Sequence, residues 1–283
     1  MAGAVPQWLV SAAAVATMFA VMFDLGTRLA PHEYRSAWRE PGPLVKGIFV
    51  SLVGVPMIVI VVARALDLPR PAEVGMVLMS IAPGAPVALR RALGAGGKTS
   101  FALALQVALA VLSAVTMPFS IALLDEVYAG TASVAPSQVA VQIFVAQLLP
   151  LGLGSAAKQF FGSRLDPFAA HLSRIASVLL LIFVAIIAVD VWPVLAEARV
   201  RAIVAIALAC TIALALGHVL GGPEPSERTA LAASCAARNA GLAILVASVN
   251  SASPEIMATL LAYLFVSAVT VTPYLSWRSR SGT

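Results

Sequence analysis

One stretch of the sequence places two polar side chains with chemical capacity inside an otherwise apolar run. SCAARNAGLAILVAS, residues 234–248, contains Arg238 and Asn239 as neighbours. A charged side chain at the centre of a membrane-spanning helix costs about 2.5–3.5 kcal/mol on insertion scales, so it usually faces a cavity or a partner. The stretch is therefore a candidate functional site if this part of the chain lies in a membrane.

A second segment carries residues that interrupt a helix. SIAPGAPVAL, residues 80–89, contains Pro83, Gly84 and Pro86. Each proline removes a backbone donor and clashes with the preceding turn. Backbone groups freed at membrane depth must be satisfied by protein or water, because lipid cannot do so. The pattern predicts a broken helix, with a proline kink in a packed helix as the alternative.

The composition sets the class of protein in which these residues operate. Of the 283 residues, 60% are hydrophobic and 11% are charged, against about 25% charged in ordinary soluble domains. The net charge of +5 falls in short connectors, which favours membrane orientation over nucleic-acid binding. Two cysteines in apolar segments and three dispersed histidines give no metal site, cofactor site or enzyme constellation. These residues are Cys210, Cys235, His32, His171 and His218.

Apolar runs predict nine transmembrane helices in a single integral membrane domain that covers residues 1–283. A helix needs roughly 20 residues to cross the hydrocarbon core. The connectors are short, and no soluble domain interrupts them. The nine predicted spans cover approximately residues 8–27, 43–66, 72–91, 100–124, 134–157, 170–191, 200–220, 226–249 and 255–276.

The distribution of basic residues predicts the orientation of this domain. Thirteen of the 18 basic residues fall on one side of the nine-span arrangement and four on the other. The positive-inside rule then places the chain in a cell membrane, with the amino terminus outside and the carboxyl terminus in the cytoplasm. The thirteen are Arg28, Arg35, Arg39, Lys46, Arg90, Arg91, Lys98, Lys158, Arg164, Arg174, Arg228, Arg278 and Arg280; the four are Arg64, Arg70, Arg199 and Arg201.

The chain repeats itself at an offset of 154 residues. The segment at 69–73 falls on 223–227, and SAVT at 113–116 falls on an identical SAVT at 267–270. An odd number of spans separates the copies, so the match predicts inverted repeats at approximately 8–124 and 170–276, with span 134–157 opening the second half. Inverted repeats with broken helices that meet near the midplane are typical of secondary transporters. The offset also places Arg238 and Asn239 opposite the predicted break.

At these residues the chain resembles the bile acid:sodium symporter family. FAVMFDLGTRLAPHEYRSAWREP at 19–41 is similar to the family's span and amphipathic connector, SIAPGAPVAL to its broken helix, and ARNAGLAILVAS to its second broken segment. The resemblance implies an all-α polytopic membrane protein with panel and core domains and two broken helices that cross in the core. It also implies symport of organic anions, including bile acids and small carboxylates, usually driven by sodium.

The sequence departs from the residues that the resemblance assigns to sodium. A serine-asparagine pair is replaced by Ala88 and Leu89, and a glutamate and a glutamine by Ser234 and Arg238. Hydroxyl ligands expected in the next helix fall near Ala104 and Ala108. Sodium requires several oxygen ligands, so these changes remove attraction and add a repelling charge. The coupling ion, sodium or proton, is left open, and no metal ligands are predicted.

Two compatible hypotheses remain for Arg238. It binds an anionic group of the substrate, assisted by helix amino termini that attract negative charge, or its fixed charge replaces sodium and holds the crossing helices together. Gln142 and Gln147 are weaker candidates for lining a cavity, whereas Arg90 and Arg91 are interpreted as anchoring residues at the cytoplasmic end. The predicted substrate-binding residues are Arg238, Asn239, Ser234, Ser80, Gln106, Pro83 and Gly84.

The sequence therefore predicts a secondary active transporter of small organic anions that works by alternating access, with sodium coupling in doubt. No enzyme activity, nucleic-acid partner or obligate protein partner is expected, and membrane lipid surrounds the helices. A sodium-independent pore or uniporter, or an auxin-efflux-like carrier of related fold, remains an alternative.

Overall fold

The described part of the chain forms eleven helical elements. A computed structural model describes residues 6–29, 41–127, 135–196 and 200–281, and within these ranges no strand occurs. His32, Arg35, Arg39 and Arg199 lie outside the described residues. The elements are α1 Gln7–Thr27, α2 Pro41–Ala65, α3 Arg70–Ser80, α4 Pro86–Gly94, α5 Thr99–Val127, α6 Pro136–Leu165, α7 Asp166–Ala196, α8 Val200–Leu220, α9 Pro225–Ala236, α10 Ala240–Val249 and α11 Pro254–Arg280.

Eight stretches of the described residues are long and apolar enough to cross a membrane. The predicted span at 72–91 is not one of them, because residues 81–85 divide it into α3, of 11 residues, and α4, of 9. The predicted break at Pro83 and Gly84 is therefore present, whereas the count of nine spans stays a prediction. A second break, at residues 237–239, separates α9 from α10 within the span Pro225–Val249.

The boundaries of three consecutive helices recur at the predicted offset. Helices α3, α4 and α5 begin at residues 70, 86 and 99, and adding 154 gives 224, 240 and 253. Helices α9, α10 and α11 begin at residues 225, 240 and 254. The order of half-helix, break, half-helix and long helix therefore occurs twice. The opposite orientation of the two copies stays a prediction.

The two interrupted elements lie in the interior of the helix assembly. Helix α1 packs along α6 and α7, while α9 packs against α8 and α4, and α3 against α2 and α11. Helix α1 also reaches α10 and α4. The span Pro225–Val249 is consequently the most enclosed, at 83% buried, and His171–Val189 the least, at 17%. The polar residues of the second break thus lie away from the lipid-facing surface.

Charged residues gather at the two ends of α8. Near its start, Arg201 donates to the carbonyl oxygen of Asp67. Beyond its other end, the Lys98 ammonium lies 2.9 Å from carboxylate oxygens of both Glu224 and Glu227. These hydrogen bonds hold the pKa of Lys98 above its usual range, so the stability linked to the Lys98 proton is complete below the usual lysine pKa and is lost as pH rises through the raised pKa. Since α8 has 21 residues, the two clusters are about 30 Å apart.

Two glycines allow α1 and α6 to approach closely. A Cβ atom at Gly154 would fall inside contact distance of the Phe23 carbonyl oxygen, and one at Gly26 inside contact distance of the Leu151 carbonyl oxygen. Small residues at such interfaces let helix backbones pack directly in membranes. The glycines therefore fix how closely α1 is held against α6.

We expect Gly154→Val to destabilise the protein by about 1–3 kcal/mol, because backbone must move to admit the side chain. Thermal unfolding in detergent, followed by tryptophan fluorescence, measures the effect. Gly152→Val is the matched control, since a Cβ there meets nothing within 4 Å. If the two variants lose the same stability, the close approach of α1 and α6 has no role. The loss would then come only from the change in helix propensity.

Candidate functional site: the crossing of the two broken helices

The two breaks touch each other through their main chains. The backbone N–H of Asn239 donates to the Ala82 carbonyl oxygen at 3.0 Å. Gly84 has φ +74°, a left-handed conformation that favours glycine, and it turns the chain between Pro83 and Pro86. Residues 81–86 are all buried. The breaks at 81–85 and 237–239 thus form one crossing point inside the protein.

Alternate carbonyl groups of the first break receive donors from elsewhere in the fold. The Ser80 carbonyl oxygen accepts a short hydrogen bond from Nη2 of Arg238. The Gly84 carbonyl oxygen accepts from Nε2 of Gln106 at 2.7 Å and from Nδ2 of Asn239 at 3.2 Å. With the bond to Ala82, three carbonyls freed by the break are satisfied without water. This meets the requirement that buried backbone groups find partners.

Arg238 also binds a third helix. Its Nη2 donates to the Ser51 carbonyl oxygen in α2 at 3.0 Å. Only 4% of Arg238 is exposed. Its Nε and Nη1 atoms have no hydrogen-bond partner among the described residues, and neither does the buried hydroxyl of Tyr263. One of the three guanidinium nitrogens thus joins α2, α3 and the second break, while the other two remain unpaired.

Local sequence explains why Ser51 offers a free carbonyl. Residues Val50–Gly54 form a π-helical turn, in which the Val55 N–H bonds to the Val50 oxygen instead of the Ser51 oxygen. The next residue, Pro56, has no N–H to donate. Neither position therefore supplies a donor to Ser51, and Arg238 fills that role. Such π turns within α-helices are frequent at functional sites.

A second π-helical turn, Phe144–Leu148 in α6, supports Asn239. It contains Gln147, whose Oε1 accepts from Nδ2 of Asn239 at 3.3 Å and whose Nε2 donates to Ser113 Oγ at 2.7 Å. Asn239 also accepts from the Leu242 N–H at 3.1 Å and so caps α10. One side chain therefore starts a half-helix, bonds to the other break and connects to α6.

A small cavity lies beside the crossing. Its volume is about 10 Å³, at the lower limit for one water molecule. Gln106 and Ser234 supply its polar side chains. Ala88 and Leu89 also line it, so three of the six positions that the resemblance assigns to sodium ligands meet here. Another of the six, Arg238, is engaged with Ser51 and Ser80 instead.

The structure brings the predicted site residues together around the crossing. Arg238, Asn239, Gln106, Gly84 and the Ser80 carbonyl are joined by hydrogen bonds. The Ser80 hydroxyl instead bonds back to the Val77 oxygen of its own helix. Pro83 is buried within the break, and Ser234 faces the small cavity.

Several participants were not among the predicted site residues. Ser51 enters through a backbone carbonyl, which side-chain chemistry in the sequence cannot reveal, although the proline five residues later is a usable signal. The sequence indicates Gln147 only as a weaker candidate for lining a cavity, whereas in the structure it anchors Asn239. Gln142 pairs with Asn250 at 3.0 Å, away from the crossing.

The fold and this site define a polytopic, all-helical membrane protein in which two interrupted helices cross. The model of the sodium bile acid symporter family matches residues 15–198, well over half the chain. The chain belongs to that family, which is one of transporters, and the resemblance seen in the sequence is confirmed. The match includes the first break, while the second lies beyond it.

A curated relative is also described as a transporter. The chain is 25% identical over 159 residues to the "Uncharacterized sodium-dependent transporter YocS" of Bacillus subtilis (strain 168). The aligned part covers 56% of this chain and 48% of the relative. The chain thus spans about half the length of the curated relative it matches.

We expect Asn239→Ala to lower the thermal stability of the purified protein more than Asn239→Ser does. Both variants lose the amide bonds to Gly84 and Gln147, but serine retains an oxygen that can cap α10, and loss of a cap costs about 1 kcal/mol. Unfolding temperatures of the two variants in detergent measure the difference. Indistinguishable temperatures would show that the cap contributes nothing at this break.

Proposed function

We propose that this protein is a secondary carrier of small organic anions in which the fixed charge of Arg238 replaces a bound sodium ion. One observation carries the proposal. The Arg238 guanidinium donates to carbonyl oxygens of Ser80 and Ser51, at the position where the family resemblance assigns a sodium-ligand glutamine. The cation that these carbonyls bind is therefore a side chain of the protein itself, the Arg238 guanidinium.

The chemistry of the remaining donor set supports the absence of sodium. Hard cations are held by oxygen ligands, including carboxylates. Ala88 and Leu89 have no side-chain oxygen, and Ser234 offers only a hydroxyl to the small cavity. A nearby guanidinium repels a second cation, and in a buried site this repulsion is only weakly screened. The protein therefore provides few ligands and an opposing charge.

The electrostatics of the crossing favour an anionic substrate. No carboxylate of the described residues forms an ion pair with Arg238. Its Nε and Nη1 atoms lack hydrogen-bond partners in the same part of the chain. The half-helix α10 begins beside them, and the amino terminus of a helix carries partial positive charge. A carboxylate or sulfonate would complement this uncompensated charge.

The transport mechanism that we propose is alternating access around the crossing, in a domain of nine spans with inverted repeats. The recurrence of helix boundaries at an offset of 154 residues supports the repeat, and the family supports a transporter. The thirteen-to-four distribution of basic residues between the two sides supports an amino terminus outside and a carboxyl terminus in the cytoplasm of a cell membrane. Arg238, Asn239, Ser234, Ser80, Gln106, Pro83 and Gly84 form the proposed transport site.

Two other functions would require different structural features or different transport behaviour. A sodium-independent pore needs a continuous polar path, whereas at the crossing Arg238, Asn239 and Gln106 donate to backbone carbonyl oxygens of the first break. A uniporter or an auxin-efflux-like carrier would share the broken helices and differ in its substrate or coupling. Saturable uptake with counter-transport separates a carrier from a pore.

We expect uptake of small carboxylates into liposomes containing the purified protein to be unchanged when sodium is replaced by choline, because Ala88, Leu89 and Arg238 supply no side-chain oxygen at the crossing. Labelled pyruvate and 2-oxoisovalerate serve as probes, with empty liposomes giving the background. Imposed sodium, proton or zero gradients identify the coupling ion. Strict dependence on sodium would overturn the proposal, and so would a failure of every tested carboxylate to saturate or exchange.

We further expect a sodium response to appear when the family's residues are restored. In Arg238→Gln/Ser234→Glu the fixed cation is removed and a carboxylate is supplied, so sodium should raise the unfolding temperature by stabilising the folded state. Wild type should show equal temperatures in sodium and choline chloride. The single variant Arg238→Gln should be less stable and transport less, since it leaves buried carbonyls unpaired. Wild-type uptake and affinity in Arg238→Gln would contradict the role of its charge.

A further inference from the structure

Two arginines and three aromatic side chains form a cluster where α8 and α11 end. His218 and Tyr274 share a hydrogen bond of 2.8 Å, and the Trp277 ring centre lies 6.1 and 5.8 Å from their ring centres. The guanidinium carbon of Arg278 lies 5.3 Å from the centre of the Trp277 ring. Arg228, in the first turn of α9, lies within electrostatic range of both His218 and Tyr274. We propose that this cluster binds the phosphodiester headgroup of an anionic phospholipid.

The cluster lies at the depth where lipid headgroups are found. His218 belongs to the last turn of α8, which has 21 residues and is therefore about 30 Å long. The hydrocarbon core of a bilayer is also about 30 Å thick. Trp277 lies close to Arg280, where α11 ends, and tryptophan and tyrosine are enriched at the membrane–water interface. The cluster is thus at the level of the charged part of a phospholipid.

Both arginines are held in place by neutral partners. Nε of Arg278 donates to Thr229 Oγ1 at 2.8 Å, and its Nη2 donates to the Pro225 carbonyl oxygen at 3.0 Å. Nε of Arg228 donates to the Gly222 carbonyl oxygen at 2.7 Å. These bonds attach the end of α11 to the start of α9. They fix the two guanidinium groups in position without neutralising their charge.

Acidic side chains do not compensate this charge. Among the described residues, no carboxylate forms an ion pair with Arg228 or Arg278. Glu224 and Glu227, the acidic residues nearest to Arg228 in the sequence, are both bound by Lys98. Guanidinium groups form strong hydrogen bonds with phosphate oxygens, and basic pockets between transmembrane helices bind lipid headgroups. The cluster therefore has the charge that an anionic headgroup requires.

The cluster is open to the surface of the protein. His218 and Arg228 are half-buried, and Trp277 is exposed. Large apolar side chains at intervals of about one or two turns are also exposed along α8 and α11, so each row follows one face of its helix toward the cluster. These side chains are Val204, Leu208, Ile212 and Val219 of α8, and Phe265 and Val269 of α11. Acyl chains can pack against such rows, whereas free phosphate cannot use them, so a phospholipid fits better than a soluble anion.

Arg164 provides a matched control for Arg228. It is exposed at the end of α6, and the sequence predicts that both arginines lie on the same side of the membrane. Replacing either one with glutamine removes one positive charge from that side, but only Arg228→Gln removes it from the cluster. Arg228→Lys retains the charge and separates an electrostatic role from a purely structural one.

Lipid binding to the purified protein in detergent tests the inference. Native mass spectrometry measures the affinity for dioleoylphosphatidylglycerol, and thermal unfolding measures the stabilisation that the lipid provides. We expect wild type to prefer this lipid to dioleoylphosphatidylcholine and to show no comparable stabilisation by inorganic phosphate. Arg228→Gln should weaken binding of phosphatidylglycerol about tenfold, as loss of a charged hydrogen bond predicts. Arg164→Gln should bind as wild type does, and Arg228→Lys should retain part of the affinity.

Equal affinity of wild type for the two lipids, or equal affinity of Arg228→Gln and Arg164→Gln for phosphatidylglycerol, would overturn the proposal. Equal stabilisation by inorganic phosphate and phosphatidylglycerol would show that the cluster binds a soluble anion, and the lipid assignment would be wrong. If Arg228→Gln does not fold, Trp277→Leu is compared with Trp192→Leu, since Trp192 is exposed on α7. Weaker binding in Trp277→Leu alone supports the site, and equal binding contradicts it. No transport is measured, so the result does not depend on the proposed function.

Discussion

The hydrogen bonds from Arg238 to the Ser80 and Ser51 carbonyl oxygens join three elements at the point where two of them are interrupted. A helix broken in a membrane frees backbone groups that lipid cannot satisfy. Here Arg238, Asn239 and Gln106 satisfy the carbonyls of Ser80, Ala82 and Gly84. The break at 81–85 persists because donors of the second break and of α5 reach it, so neither interrupted helix has its conformation independently of the other.

The same constraint explains why α2 and α6 each contain a π-helical turn facing this region. In both, the backbone N–H that ends the turn bonds five residues back, and proline follows immediately at Pro56 and Pro150. In α2 the result is an unoccupied Ser51 carbonyl for Arg238. In α6 the turn carries Gln147, which reaches Asn239 and Ser113. Irregularities in the surrounding helices thus supply partners to the irregular crossing.

Much of this arrangement follows from local sequence. Proline and glycine chemistry places the first break at Pro83–Gly84, and the recurrence at 154 residues places the second at Arg238–Asn239. The sequence does not specify the direction in which each side chain points. Arg90 and Arg91 are chemically identical neighbours, and only packing decides that one contacts Ser173 while the other contacts Thr272. The partners of Arg238 are backbone oxygens of two helices that are distant in the sequence. Because every residue has such an oxygen, residue types alone do not predict which ones Arg238 binds.

A fixed charge and an exchangeable ion have different consequences for transport. A sodium ion drives accumulation of substrate because it binds the outward-facing state of a carrier from outside the cell. It then dissociates from the inward-facing state into the cytoplasm. A ligand that interacts equally with two states shifts no population between them. Arg238 cannot leave, and in the proposed carrier it holds the crossing closed in every state. It can therefore maintain the transport core and attract an anion, but it cannot transfer the energy of an ion gradient. A carrier built this way equilibrates or exchanges its substrate unless another titrating group, such as the substrate itself, supplies the coupling.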